Sequence, residues 1–233
     1  MCTPVFTKET LSRTWVNKVT AKVVTKATVV LNSTNMGGGS GPSNLINPPG
    51  WLDGSCPAHH NRGHLIGNAL GGSGDDADNL VTLTSGTNHP FMYEFEDAVK
   101  RFVLATPGVD FQYEVECNYD KESYTALTGY DIPGASGNPF CLFPAPAFLT
   151  LSLKKNQVLQ SLQTIGGYLP KPPPDLGSFA AVTSLRVPNG GYKLYSGAVH
   201  TASNCASVAS DPSNNAGLKV AAKSYAKALG HVS

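Results

Sequence analysis

Two stretches of strand-like alternation enclose one helical pattern, and that order narrows the fold more than any other feature of the chain. Residues 20–31 (TAKVVTKATVVL) and 109–119 (VDFQYEVECNY) alternate and are rich in Val, Thr or aromatic residues, which reads as a strand or a tight strand pair in the first and a strand in the second. Between them Phe91, Phe95, Ala98, Val99, Phe102 and Val103 recur at the spacing of one helix face. Glu94, Asp97, Lys100 and Arg101 fall on the other side, and Pro107-Gly108 ends the segment. The spacing predicts a helix over 88–104. A further strand is expected over 147–154. The 24 glycines and 17 prolines suit a loop-rich domain and not a helical bundle. The expected class is α+β.

The remaining segments read as connections. Residues 36–49 are Gly, Ser, Asn and Pro, a surface loop. Residues 70–78 (LGGSGDDAD) offer acidic oxygens but lack the ligand alternation and closing glutamate of an EF-hand loop, so a solvated loop is expected. After Lys155 the composition shifts. Residues 169–174 (LPKPPP) read as a polyproline spacer, and 216–229 as a short helix with Lys219, Lys223 and Lys227 on one stripe. The expected division is a main domain over 1–155 and a Pro/Ala/Ser-rich extension over 156–233 that can pack on it. There is no internal repeat.

The formal net charge over 233 residues is +1, so any contact with a polyanion must come from a local patch. No apolar run approaches the length of a membrane-spanning helix. The first 31 residues show no signal-peptide core, which leaves three readings: an excised domain, a leaderless export substrate or an intracellular protein. Cysteines stand at 2, 56, 117, 141 and 205, with no Cys-x-x-Cys pair, so a zinc ribbon is not expected. Cys117 and Cys141 can pair in an oxidising compartment or remain buried thiols; both readings stay open.

Chemistry concentrates between residues 61 and 96. Asn61-Arg62-Gly63-His64, Asn79, Asn88, Met92 and Glu96 supply one imidazole, neutral amide oxygens, a guanidinium and a carboxylate. Cleaving a phosphodiester with one divalent cation needs such a set. Water must lose a proton to a neutral base. The charge gathering at phosphorus must meet a hard cation and a guanidinium. An amide oxygen holds Mg²⁺ without cancelling its charge.

The blocks Arg62-Gly63-His64-Leu65-Ile66-Gly67-Asn68-Ala69-Leu70-Gly71-Gly72, Asp78-Asn79-Leu80-Val81-Thr82, Asn88-His89-Pro90-Phe91-Met92 and Glu96-Asp97-Ala98-Val99 resemble the DNA/RNA non-specific endonucleases. This is the ββα-metal family with an Asp-Arg-Gly-His motif, and the likeness is nearest to its bacterial secreted and DNA-uptake branch. It covers about residues 55–125. The resemblance implies a central antiparallel sheet with a ββα-metal element, His64 ending a strand as general base, and Asn88 as ligand of Mg²⁺, with Mn²⁺ as substitute. It further implies Asn79, Glu96 and Arg62 in the catalytic set, DNA and also RNA as substrates, and 5′-phosphate products. One position departs: Asn61 stands where the family has aspartate. If that carboxylate polarises the histidine, its loss lowers the pKa of the base, while an amide can still orient the ring.

Each assignment has a plainer rival. His64 can be a structural histidine and Asn88 a helix cap. Asn79 can position the base loop instead of touching the ion. Glu96 can reach the metal through water, orient Arg62, or sit on a solvated helix face, with Glu94 as its rival in register. Arg62 can be a surface charge. His89, Lys100 and Arg101 are candidate phosphate contacts, as are Lys22 and Lys26, against the common case of solvated charge. A zinc site from Cys56, His59, His60 and His64 would consume the base and is disfavoured. A catalytically weak nucleic-acid-binding module is the alternative function, and Asn61 argues for it. The expected setting is secretion or delivery to a target cell as a toxin, with an immunity or inhibitor protein or export machinery as partner and no membrane.

Overall fold

Strand β2 (Val19–Leu31) is the spine of the larger sheet, paired with β1 (Val5–Arg13) on one side and β5 (Phe111–Asn118) on the other. The computed structural model describes residues 2–13, 19–51, 60–84, 87–119, 145–146, 148–168 and 180–189. Beyond β5 come β6 (Phe148–Lys155) and β7 (Val158–Leu159), and β8 (Ser184–Pro188) also pairs with β6. A separate hairpin joins β3 (His60–His64) to β4 (Leu80–Thr84). All these pairings are antiparallel. With α1 (Tyr93–Leu104) and α2 (Leu162–Gly166) the architecture is α+β, as the alternating and helical patterns imply.

One sheet face builds the core. Phe111, Tyr113, Val115 and Cys117 alternate inward along β5, beside Leu149, Leu151 and Leu153 of β6 and Leu185 and Val187 of β8. The apolar stripe of α1 lies over them: Phe102 meets Phe111 at 5.0 Å and Phe95 meets Tyr113 at 6.4 Å between ring centroids. Tyr168, just past α2, closes on Phe102 at 5.4 Å. The extension expected after Lys155 thus contributes β7, α2 and β8 to the sheet and its cover. The polyproline stretch and the lysine-striped helix expected at 216–229 lie outside the described residues.

The opposite face of the same strands is polar. Glu114, only 4% exposed, holds Lys154 at 2.7 Å and Lys26 at 3.1 Å. In β1–β2 the register shifts between Thr7 and Lys8, a bulge that sets Lys8 opposite Val24. Cys2 and Cys117 are free buried thiols, and burial pushes the Cys117 thiol up to about 12. Cys141 lies outside the described residues.

Candidate active site

β3, β4 and α1 make a ββα unit. The hairpin register sets His64 opposite Leu80 and Arg62 opposite Thr82. The helical pattern read back to residue 88, but the α-helix begins at Tyr93, and Thr87–Met92 form a π-helical turn before it. Pro90 lacks an amide hydrogen, so the regular helical bond cannot form at that residue.

His64 ends β3, partly buried, with Nε2 at 3.0 Å from the Ser40 carbonyl oxygen. A carbonyl only accepts, so Nε2 carries the hydrogen and donates. Nδ1 is therefore the unprotonated nitrogen. Burial lowers the imidazole below its ordinary pKa, against a smaller opposite effect of the Ser40 bond. The ring is neutral at pH 7 with one lone pair, the state a general base must start from.

The backbone just after His64 is clamped twice. Asn79 is buried; its Oδ1 accepts from Ile66 N–H at 2.9 Å, and its Nδ2 donates to the carbonyls of Ile66 (3.0 Å) and Ser73 (3.1 Å). Glu96 is also buried, and its Oε1 accepts from Gly67 N–H at 2.8 Å. Burial raises its carboxyl to about 8, the Gly67 bond pulling the other way, so at pH 7 Glu96 is mostly protonated. Tyr113 is raised well above its usual range, first by burial and then by the neighbouring Glu96 charge, and its hydroxyl has no hydrogen-bond partner among the described residues. The solvated-face reading of Glu96 is replaced by this internal clamp. The signal lay in the helix spacing: Glu96, Val99 and Val103 fall on one stripe, three and four residues apart.

The other candidates are dispersed. Arg62 donates from Nε to the Ile46 carbonyl and from Nη2 to Asn47 Oδ1 (2.8 Å) and the Asn44 carbonyl (3.3 Å), and its guanidinium lies 4.1 Å from the Trp51 ring centroid. It secures the loop over the hairpin, and among the described residues nothing takes its two Nη1 hydrogens. Asn88 lies in the π turn, partly buried, with no hydrogen bond to its amide among the described residues. Lys100 is partly exposed. Arg101 is exposed and bonded to Asp97 at 2.6 Å. The His89 backbone is in the π turn, and its side chain is outside the described set. Glu94 is partly buried with its carboxyl raised by burial. Lys26 is tied to Glu114 and Glu116, whereas Lys22 stands exposed at a groove of about 210 Å³ beside Lys8, Asp78 and Leu80. Asn61 pairs with Leu83, and strand alternation puts its side chain on the face opposite Arg62 and His64. Sequence reading missed Ser40, whose glycine-rich neighbourhood spoke only of a loop.

No group of three or more His, Cys, Asp or Glu residues fit for a metal occurs among the described residues. Among the described residues Asn88 offers an amide oxygen that accepts no hydrogen bond. Mg²⁺ accepts such a site, because it keeps most of its waters and takes few protein ligands.

A strand-borne imidazole ahead of a turn and helix, joined by an antiparallel hairpin, is the ββα arrangement that the sequence resemblance implies. Residues 20–132 match the family model described as DNA/RNA non-specific endonuclease, and this part of the chain belongs to that family. The family acts on nucleic acids, so the domain is a nuclease with nucleic acid as its substrate class. Among solved structures the chain is similar to NucA from Streptococcus agalactiae with magnesium ion bound, at 14% identity and TM-score 0.43, over 81% of this chain and 73% of that one. It is also similar to an extracellular endonuclease, at 13% identity and TM-score 0.39, over 80% of each chain. No curated protein matches the sequence. Among the described residues no helix is long and apolar enough to cross a membrane.

Proposed function

We propose that the protein is a metal-dependent, sequence-nonspecific endonuclease that hydrolyses phosphodiester bonds of DNA, and of RNA, to 5′-phosphate products. The observation that carries this reading is the neutral His64 ring, its Nε2–H spent on Ser40 and its Nδ1 left as acceptor. Nδ1 takes a proton from water, and that water attacks phosphorus in line. Asn88 would hold Mg²⁺, or Mn²⁺ in its place. When bound, the cation neutralises charge at the phosphate and the leaving 3′-oxygen. Arg62 presents its Nη1 hydrogens to a non-bridging oxygen while its other donors stay on the loop. Asn79 and Glu96 act behind the base by holding residues 66 and 67. His89, Lys100 and Arg101 serve the substrate backbone, and contacts of that kind position a strand without reading its bases.

The setting we propose is a secreted nuclease or one delivered to a target cell, restrained by an immunity or inhibitor protein that protects its source. The test is incubation of purified protein with plasmid DNA and with RNA in Mg²⁺, Mn²⁺ or excess EDTA. Cleavage is expected only with the cations. Undiminished cutting in EDTA would overturn the metal-dependent reading. Binding without cutting under all conditions would favour the binding-module reading that Asn61 raises.

A further inference from the structure

The loop that meets His64 is pinned along its length. Ser40 N–H donates to the Gly72 carbonyl at 3.2 Å, and Ser43 N–H to the Gly74 carbonyl at 2.9 Å. The Ser40 hydroxyl accepts from Gly74 N–H at 2.9 Å, donates to Asp75 Oδ2 at 3.2 Å, and lies 3.4 Å from the Ser73 hydroxyl. This approach requires glycine: a Cβ on Gly39 would overlap the Gly72 carbonyl oxygen, and one on Gly74 the Gly41 carbonyl oxygen. The second loop is held in turn by Asn79, which donates to Ser73 as well as to Ile66. Two glycine-rich loops and the segment after His64 thus form one hydrogen-bonded unit, and Ser40 is the member that touches the imidazole.

We propose that Ser40 is a positioning residue for the His64 base, its hydroxyl fixing where its own carbonyl meets the imidazole Nε2. The inference rests on the reading of His64 as base. The carbonyl selects the tautomer, because it bonds the ring only when Nε2 carries the hydrogen, and so keeps the lone pair on Nδ1. The hydroxyl selects the carbonyl's place, because it bridges Gly74 and Asp75 on the facing loop. Asp75 is exposed and orients the hydroxyl by accepting its hydrogen, which leaves the oxygen lone pairs for Gly74 N–H. Asn61 cannot take this part, since it projects from the other face of β3. The orienting contact comes from a loop about 24 positions upstream of the base, and not from the residue three before it.

The experiment compares the parent with Ser40→Ala, Ser40→Thr and Asp75→Ala. Ring-nitrogen chemical shifts of His64 are followed against pH in metal-free protein, and turnover is measured separately with Mg²⁺. The parent should show one tautomer, with hydrogen on Nε2. Ser40→Ala should show a tautomer mixture and a kcat lower by about tenfold at unchanged KM. Ser40→Thr should restore both, and Asp75→Ala should shift both in the same direction by less. Because Asp75 is exposed, its variant keeps the test decisive if Ser40→Ala fails to fold. A folded Ser40→Ala protein with the parent's ring shifts and kcat would overturn the proposal, as would an unchanged Asp75→Ala ring if Ser40→Ala cannot be made. An inactive parent with the expected ring shifts would strike the functional reading and leave the loop-to-imidazole coupling standing.

Discussion

Two buried glutamates sit on opposite faces of the larger sheet, and their carboxyl pKa values shift in opposite directions. Glu96, behind the candidate site, is 8% exposed and accepts one bond from a backbone amide. Glu114, on the polar sheet face, is 4% exposed and lies between Lys26 and Lys154, with the Gln112 amide as a third partner. Burial raises both carboxyls. At Glu96 little opposes it, and the group reaches about 8. At Glu114 the bonds from Lys154, Lys26 and Gln112 overcome it, and the group falls below its ordinary value. Depth alone therefore does not decide the charge of a buried acid; the partners do. The sheet face uses its glutamate as an anion that gathers two strands. The ββα unit uses its glutamate as a mostly neutral acceptor that fixes one loop.

The sharpest way to separate the regions is to remove His64, the proposed base. His64→Ala should lower turnover by about two to four powers of ten, the usual reach of a positioned base, with little change in melting temperature. Glu114→Ala should do the reverse: about 1–3 kcal/mol of stability lost as two ammonium groups lose their anion, with kcat intact. Plasmid cleavage and thermal melts on both variants decide this. Comparable losses of stability in the two would erase the division between catalytic and structural polar groups.

Asn79→Ala comes next in size. It removes the acceptor for Ile66 N–H and the donor to two carbonyls, all in a buried place. A loss of about 2–4 kcal/mol is expected, with turnover falling too because the strand end behind His64 loosens. Denaturant unfolding measures the first and initial rates the second. Full stability with lost turnover would mean Asn79 acts on substrate or metal and not on the backbone.

These clamps also mark where sequence reading succeeded and where it stopped. Alternation in β2, β5 and β6 and the apolar stripe of α1 were legible because each buries one face against a single core. β1 was not, since its Thr7-Lys8-Glu9-Thr10 run sits on a sheet edge beside a bulge, where no regular burial imprints a pattern. His64 and Asn88 were marked by a motif whose residue types suit one chemistry. Ser40 was invisible, because it meets His64 through a backbone carbonyl, which every residue has.

A subtler test uses pH. In the unfolded chain Glu96 titrates near 4.3, and in the folded protein at about 8. Between those values the folded state keeps a proton the unfolded chain has released, so stability falls as pH rises. The linked stabilisation is complete below about 4 and lost through about 8, on the order of a few kcal/mol. Glu114 has the opposite sign: its contribution is present above about 4 and disappears as acid protonates it in the folded state. Glu96→Gln keeps the acceptor for Gly67 and should flatten the decline between pH 5 and 8. Glu114→Gln should flatten the acid limb. Melting curves at pH 3 to 9 that run parallel for all three proteins would show that neither carboxyl is linked to folding as described.

The smallest effect is expected at the position where the chain departs from its family. An aspartate at residue 61 would polarise His64 only if its carboxylate reached the ring. The unbroken register of β3 with β4 puts residue 61 opposite Leu83 and residue 64 opposite Leu80, so the two side chains leave the strand on different faces. The hydrogen of Nε2 is already taken by Ser40. Asn61→Asp should thus leave the pH–rate profile of kcat/KM unchanged, including the acid limb set by His64. Coupling through a carboxylate would show itself in two ways, a higher pKa on the acid limb and a faster plateau above it, because the anion stabilises the imidazolium that forms. Full profiles of parent and variant are compared, since a single pH could hide two opposing changes. A shifted acid limb would mean that the hairpin moves in solution far enough to bring residue 61 to the base, and that the clamp by Asn79 and Glu96 is looser than its hydrogen bonds imply.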